Sequence, residues 1–365
     1  MANKKINTYV PDYLVKPGEV LEEYLESYRM TQVELSERTG LTKKTINGII
    51  KGKAPITPKT ALKFEKTLGR PAHFWINIES DYQQDLERIE EKKRLQNSTD
   101  WLKKFPVRMM IKFKWINEKI DKLSQIEELC RFFGIASPEQ WESIQYNYAV
   151  KFRKTNKTFY SPDALSTWLR KGELEAQKIQ CKTFDKKKFK TKLKDIRNLT
   201  TKNDSNFMQE LINKCAMSGV AVVIVPQLPK TGAYGATRWI GDKPMIQLSL
   251  RYKTNDQFWF NFFHEAAHII KHGRKEIFIE ADNIKDEKEE EANNFAKDFL
   301  IPISDLNEYI TQEKRINQKN LICFSNKVKI APGIVVGRLQ HDKIIPFDRY
   351  NNLKIRYEWS NFVNE

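Results

Sequence analysis

The stretch that most restricts the possible folds is "TNDQFWFNFFHEAAHIIKHG", Thr254 to Gly273. Its apolar residues fall on most sides of a helix, not on one stripe. A helix of that kind has to be buried, so it must sit inside a substantial core. A chain of 365 residues, 40% of them hydrophobic, is long enough for two or three domains. Asn255 or Asp256 can cap the start of this helix, and Gly273 can end it. Three of the chain's five histidines fall in the stretch at four-residue intervals.

The flanking residues place the helix in a mixed α+β region. "GVAVVIVP", Gly219 to Pro226, is a β-branched run bounded by Gly and Pro, which reads as a buried strand. "GATRWI" and "MIQLSLR" flank "GDKP", Gly241 to Pro244, which reads as a hairpin. "DEKEEEANNFAKDFLIP" is a helix ending before Pro302. "SNKVKIAPGIVVGRLQHDKII" supplies a further helix.

His264 and His268 are an i,i+4 pair, so they share a helix face one turn apart and can hold one ion. Glu265 lies about 100° around the helix from His264. It is poorly placed to bind the same ion but can reach a water on it. That is the logic of H-E-x-x-H: two imidazoles hold zinc, and the carboxylate takes the proton from water. Zinc of this kind needs a third protein ligand. His272 lies about 12 Å along the axis from His264, too far for one ion. It reads as a helix-end residue or one that supports a ligand. The acidic start of the downstream helix offers better candidates. Ala292, Phe295, Ala296 and Phe299 mark its inward stripe. Glu289 shares a face with Ala292 and Ala296, and Glu291 is four residues before Phe295. Spacing does not decide between them.

Composition narrows the setting. The formal charge is +16, and a basic protein of this kind tends to meet polyanions, usually nucleic acid. The excess is greatest between residues 101 and 200. It peaks at Lys186, Lys187, Lys188, Lys190, Lys192 and Lys194, a phosphate contact or a solvated helix face. Trp101, Trp115, Trp141 and Trp168 in the same zone read as core aromatics. The N-terminus has no apolar secretory region, and no run is apolar enough to span a membrane. Cys130, Cys181, Cys215 and Cys323 form no CxxC pair, which fits reduced thiols and a cytoplasmic protein.

Near the N-terminus, "MTQVELSERTGLTKKTINGIIKGKAPIT" has helix-turn-helix spacing. Val33 and Leu35 are expected to face inward, and Gly40 permits the tight turn. Thr42 caps a second helix, whose back is buried by Ile46, Ile49 and Ile50. Thr42, Lys43, Lys44, Thr45 and Asn47 then point outward at its start, where a recognition helix meets base edges of double-stranded DNA. Lys51 and Lys53 follow, in reach of phosphate. Pro17 to about Tyr82, including "HFWINIESDY", resembles the HigA-type antitoxin repressors of the XRE class. The resemblance implies operator binding as a homodimer and a structural role for His73 at the closing helix junction.

A second resemblance covers roughly residues 205–345. "FWFNFFHEAAHIIKH" followed by "EEEANNFAKDFLIP" is similar to the ImmA/IrrE metallopeptidases, as are "GVAVVIVPQLP", "GATRW", "KPMIQLSLR" and "APGIVVGRLQHD". Ala267 stands where glycine is common, and "LIP" replaces "LMP". Neither change removes a ligand. The resemblance implies zinc held by His264, His268 and Glu289, with Glu265 as general base. It also implies a protein substrate, often a repressor, cleaved in stress or prophage control.

The expected organisation is therefore multidomain. Residues 1–82 form an all-α helix-turn-helix domain. Residues 83–200 form a basic helical connector, and residues 201–365 form an α+β, zincin-like peptidase domain of gluzincin type. Met245–Arg251 is expected to be the edge strand that pairs with substrate. Tyr234, Arg238 and His341 are candidate oxyanion donors. The alternative function is a non-proteolytic HigA-like antitoxin or repressor, whose zinc domain senses or binds a partner.

Overall fold

In a computed structural model, residues 14–144, 161–202, 206–272, 278–281, 287–313 and 315–357 are described. The chain divides into two compact units, Met1–Thr99 and Asp100–Glu365.

The first unit is helical: α1 Pro17–Ser27, α2 Gln32–Thr39, α3 Lys43–Ile50, α4 Pro58–Leu68 and α5 Ala72–Gln96. Leu21, Leu35, Ile46, Ile49, Phe64 and Trp75 close its core. Threonine caps set the helix starts. Thr31, Thr42 and Thr57 each accept the backbone N–H three residues on, satisfying a donor the helix leaves open. Gly40 follows α2 at φ 61°, the left-handed geometry that makes the turn tight. At Gly18 the backbone of α1 lies directly against the Ile49 and Ile50 carbonyls, leaving no space for a side chain. Val33 does not face inward as expected; it is 41% exposed. Leu35 and Thr39 are the buried positions of α2, and Val33 sits two residues from Leu35, about 200° around the helix. The domain boundary expected after residue 82 falls inside α5, which runs unbroken to Gln96.

The second unit begins with α6 Val107–Lys112, α7 Lys122–Phe133, α8 Pro162–Lys178, α9 Lys186–Arg197 and α10 Phe207–Ala216. It continues with β1 Ala221–Ile224, β2 Ala233–Ile240, β3 Lys243–Leu248, α11 Asn255–Lys271 and β4 Phe278–Ala281. It closes with α12 Glu287–Leu300, α13 Ile303–Gln312, α14 Gln318–Val328 and α15 Pro332–His341. The strands form one mixed sheet in the order β1-β3-β2-β4. β1 runs parallel to β3, and β2 pairs antiparallel with both β3 and β4. The β2–β3 hairpin turns through Gly241 and Asp242, with Gly241 at φ 60°.

Side chains alternate across this sheet with the period of two that strands impose. Val222, Ile246 and Leu248 pack with Phe258 and Phe262 of α11. Ala221, Val223 and Met245 pack the other way, with Leu165, Trp168 and Leu169 of α8. Polar groups tie α8 down as well. The Trp168 indole donates to the Val225 carbonyl at 3.1 Å, and the Gln247 amide donates to the Trp168 carbonyl at 2.7 Å. Residues 83–200, expected as a connector, carry two structural parts. Their first part completes α5, and α8 is a structural layer of the second unit. A strand run apolar on both faces needs cover on both faces, and α8 supplies the second.

The basic helix α9 buries Phe189, Leu193 and Ile196, and Lys186, Lys187, Lys188, Lys190 and Lys194 are exposed. Its last residue, Arg197, donates to the carbonyls of Phe299, Leu300 and Val328 at 2.7–2.9 Å. These include the open carbonyls at the end of α12. Trp101, Trp141 and Trp168 are buried, and Trp115 is half-buried against Phe132. The strand expected at the sheet edge, Met245–Arg251, is not there. β3 lies between β1 and β2, and among the described residues the edges are β1 and β4.

Candidate metal centre and DNA-contact helix

α11 is buried along nearly its whole length, as its apolar pattern requires. Its start differs from expectation. Thr254 is the cap residue, without a side-chain cap bond. Asn255 instead pairs with Ile355 through both its backbone N–H and its side-chain oxygen. Asp256 faces the Lys354 ammonium at 2.7 Å. The expected stop, Gly273, lies outside the described residues; α11 ends at Lys271, with His272 extended.

One turn apart on α11, His264 Nε2 and His268 Nε2 stand 3.0 Å from each other. α12 brings Glu289 to them. Its Oε2 lies 3.1 Å from His264 Nε2 and 3.6 Å from His268 Nε2. All three residues are buried, and they form a group whose ligand atoms lie within 4.8 Å of one another. Tetrahedral zinc with bonds near 2.05 Å places its ligand atoms about 3.3 Å apart, so the three separations fit such an ion. Glu291, the competing acid, is exposed. It contacts Lys271 Nζ at 2.6 Å and His272 Nε2 at 3.1 Å.

The far side of each ring is also held. Asn293 Oδ1 lies 3.0 Å from His264 Nδ1, and His272 Nδ1 lies 2.9 Å from His268 Nδ1. A proton on each ligand Nδ1 leaves each Nε2 lone pair facing Glu289 and the other ring. His272 can then pass its Nε2 proton contact to Glu291. His272 therefore braces the His268 ring from the end of α11. The Phe278 ring of β4 lies nearly parallel to His268 at 4.0 Å.

The electrostatics suit a cation. Burial pushes the His268 imidazole down to about 4, against the pull of Glu289. Burial alone would raise the Glu289 carboxyl; its bonds to His264 and His268 outweigh this and hold it at about 2. At neutral pH the His268 ring is uncharged and the Glu289 carboxylate is ionised, the protonation states a metal requires.

Glu265 is 0% exposed and faces β2. The Thr237 hydroxyl lies 2.6 Å from its Oε2. At Gly235 an added Cβ would overlap the Glu265 side chain. Neither Gly235 nor Thr237 was singled out by motif spacing. The signal available was a glycine inside a strand, which marks a close approach. The three oxyanion candidates have other contacts. Tyr234 meets the Tyr252 hydroxyl at 3.0 Å. Arg238 donates to the Leu169 carbonyl on the α8 side of the sheet. His341 is exposed beside Asp342.

In the first unit, α3 presents Thr42, Lys43, Lys44 and Lys51 exposed, with Thr45 and Asn47 half-buried. Thr42 is occupied by its cap and lies 2.9 Å from the Thr45 hydroxyl. Asn47 lies within 3.5 Å of Gln32, at the start of α2. His73 is exposed in the first turn of α5.

The fold and these two regions define a helix-turn-helix regulator domain joined to a peptidase-like domain. A helix-turn-helix family model matches residues 21–75, and the M78 peptidase model, the IrrE N-terminal-like domain, matches residues 218–336. The first unit thus carries a helix-turn-helix domain of XRE type, and the second an ImmA/IrrE-like M78 peptidase domain.

Virulence-associated protein I of Dichelobacter nodosus is 32% identical over 81 residues, 22% of this chain and 73% of that protein. The uncharacterized HTH-type transcriptional regulator YddM of Escherichia coli K12 is 25% identical over 65 residues, 18% of this chain and 69% of that protein. Among solved structures, an addiction module antidote protein of the HigA family from Coxiella burnetii is 26% identical, with a TM-score of 0.22. It is matched over 92% of its length and 23% of this chain. The Pseudomonas aeruginosa antitoxin HigA, solved with the higBA promoter, is 22% identical with the same TM-score, over 94% of its length and 23% of this chain.

Proposed function

We propose that this protein is a DNA-binding regulator whose second unit is a zinc-dependent endopeptidase acting on a regulatory protein. The observation that carries this reading is the buried His264–His268–Glu289 cluster, with Glu265 beside it on the same helix. His264, His268 and Glu289 would hold the ion. Bound there, zinc supplies Lewis acidity toward a scissile carbonyl and toward the attacking water. Glu265 takes a proton from that water and delivers it to the leaving amine. Thr237 and Gly235 fix where its carboxylate stands. Of the two edge strands, β4 supports substrate pairing, because its Phe278 packs on His268.

On DNA, Lys43 and Lys44 would contact base edges or phosphate from the exposed start of α3, with Thr42, Thr45 and Asn47 beside them. Lys51 would reach phosphate from the end of α3. A homodimer on an operator follows the same reading.

The test compares wild type with Glu265→Gln. Both should hold one zinc per chain and shift the same promoter fragment. Cells expressing wild type should show new protein N-termini that the variant lacks. Identical N-termini in both would sink the endopeptidase reading and favour a non-proteolytic sensor or antitoxin.

A further inference from the structure

We propose that a cavity one helical turn from the metal centre binds an apolar side chain next to the scissile bond, and so sets substrate specificity. The inference rests on the endopeptidase reading above. The cavity is about 110 Å³ and is walled by the two helices that carry the metal ligands, with α15 as the third wall. α11 contributes Phe260, one turn before His264, with the two rings 6.2 Å apart. α12 contributes Lys297, one turn beyond Asn293, which itself meets His264. A turn of helix is about 5.4 Å, and neighbouring Cα atoms in a peptide are about 3.8 Å apart. A side chain flanking a bond held at the metal therefore reaches this distance.

Chemistry selects the occupant. Phe260, Leu300, Ile301 and Ile334 give the cavity apolar walls. Of the charged groups at its lining, Asp256 and Arg338 are already neutralised from outside. Asp256 faces Lys354 at 2.7 Å, and Arg338 faces Asp342 at 2.6 Å. Neither attracts an ionic ligand strongly. A volume equal to about four waters suits a branched aliphatic or phenyl group, and apolar walls favour that group over the waters. Gln257 and His341 are exposed at the lining, so the cavity opens to the surface.

The probe is a set of end-blocked octapeptides differing at one position beside the cut, given to the zinc-loaded full chain. Wild type should favour Leu, Ile, Met or Phe there. One methylene in such a pocket changes kcat/KM by roughly 10- to 200-fold. Ile334→Trp fills the cavity and should shift the preference to Ala or Gly, at unchanged zinc content. Ile334→Ala enlarges it and should shift the preference toward Phe or Trp; it serves if the Trp variant fails to fold. A preference unchanged in the folded variant overturns the proposal.

If wild type cuts no peptide, the endopeptidase reading fails and the specificity role falls with it; whether the cavity takes an apolar side chain is then read by binding alone. Saturation-transfer NMR with N-acetyl-leucinamide should give a signal with wild type that Ile334→Trp abolishes. No signal with wild type overturns the cavity proposal.

Discussion

The helices α3 and α11 invite comparison, since each carries one half of the proposed function. α3 is eight residues long and keeps its candidate contacts at the surface. Its working residues lie within ten positions of one another. α11 is buried, and its site needs α12 some twenty residues on and β2 nearly thirty residues before. A surface contact helix can be specified locally. A buried reactive centre has to be assembled, because each polar group taken from water needs a partner from elsewhere in the fold.

Substitutions can break this comparison, and the largest effect is expected at Glu265. Glu265→Gln should lower cleavage by about 10² to 10⁴-fold while zinc content stays at one per chain. Gly235→Ala should act in the same direction from a different strand, since its new methyl displaces the Glu265 side chain; normal turnover in that variant would remove β2 from the site. His264→Ala should abolish zinc retention on dialysis. Wild type should gain about 4 kcal/mol of stability at zinc a thousandfold above Kd, and the variant should not.

A smaller effect is expected one contact further out. Glu291→Ala should weaken zinc binding about 10- to 100-fold through His272 and His268, as read by competition with a chelator. The surface helix should respond more gently. Lys43→Ala and Lys44→Ala should each lower the salt slope of promoter binding by about one, with no change in folding. Thr42→Ala should cost about 1 kcal/mol of thermal stability through the lost cap. Loss of DNA binding out of proportion to that cost would place Thr42 in the contact itself.

The legibility of the sequence follows the same divide. The Thr42 cap, Gly40 and the buried Ile46 and Ile49 of α3 could be read from local spacing, because those interactions span a few residues. So could the His264–His268 pair. Glu289 and Glu291 could not be separated by spacing, as both begin the same helix. The fold separates them by tilting one toward His264 and leaving the other beside Lys271. Val33 was misplaced because one apolar residue in a short helix carries little phase information. Strand position was illegible for β3, since hydropathy reports burial and not which strands flank it. Asn255 and Asp256 look like cap residues, yet they bind a segment about a hundred residues away.

The clamp made by Arg197 and the cover supplied by α8 bear on how this chain can be divided. The peptidase model starts at residue 218, yet both features precede it. A fragment begun at that point would leave one sheet face bare and the last turn of α12 uncapped. It should aggregate, whereas one begun near residue 100 should stay monodisperse. The segment recognised by similarity is thus shorter than the segment whose residues cover the sheet and the end of α12, and a cut at residue 218 should separate the two.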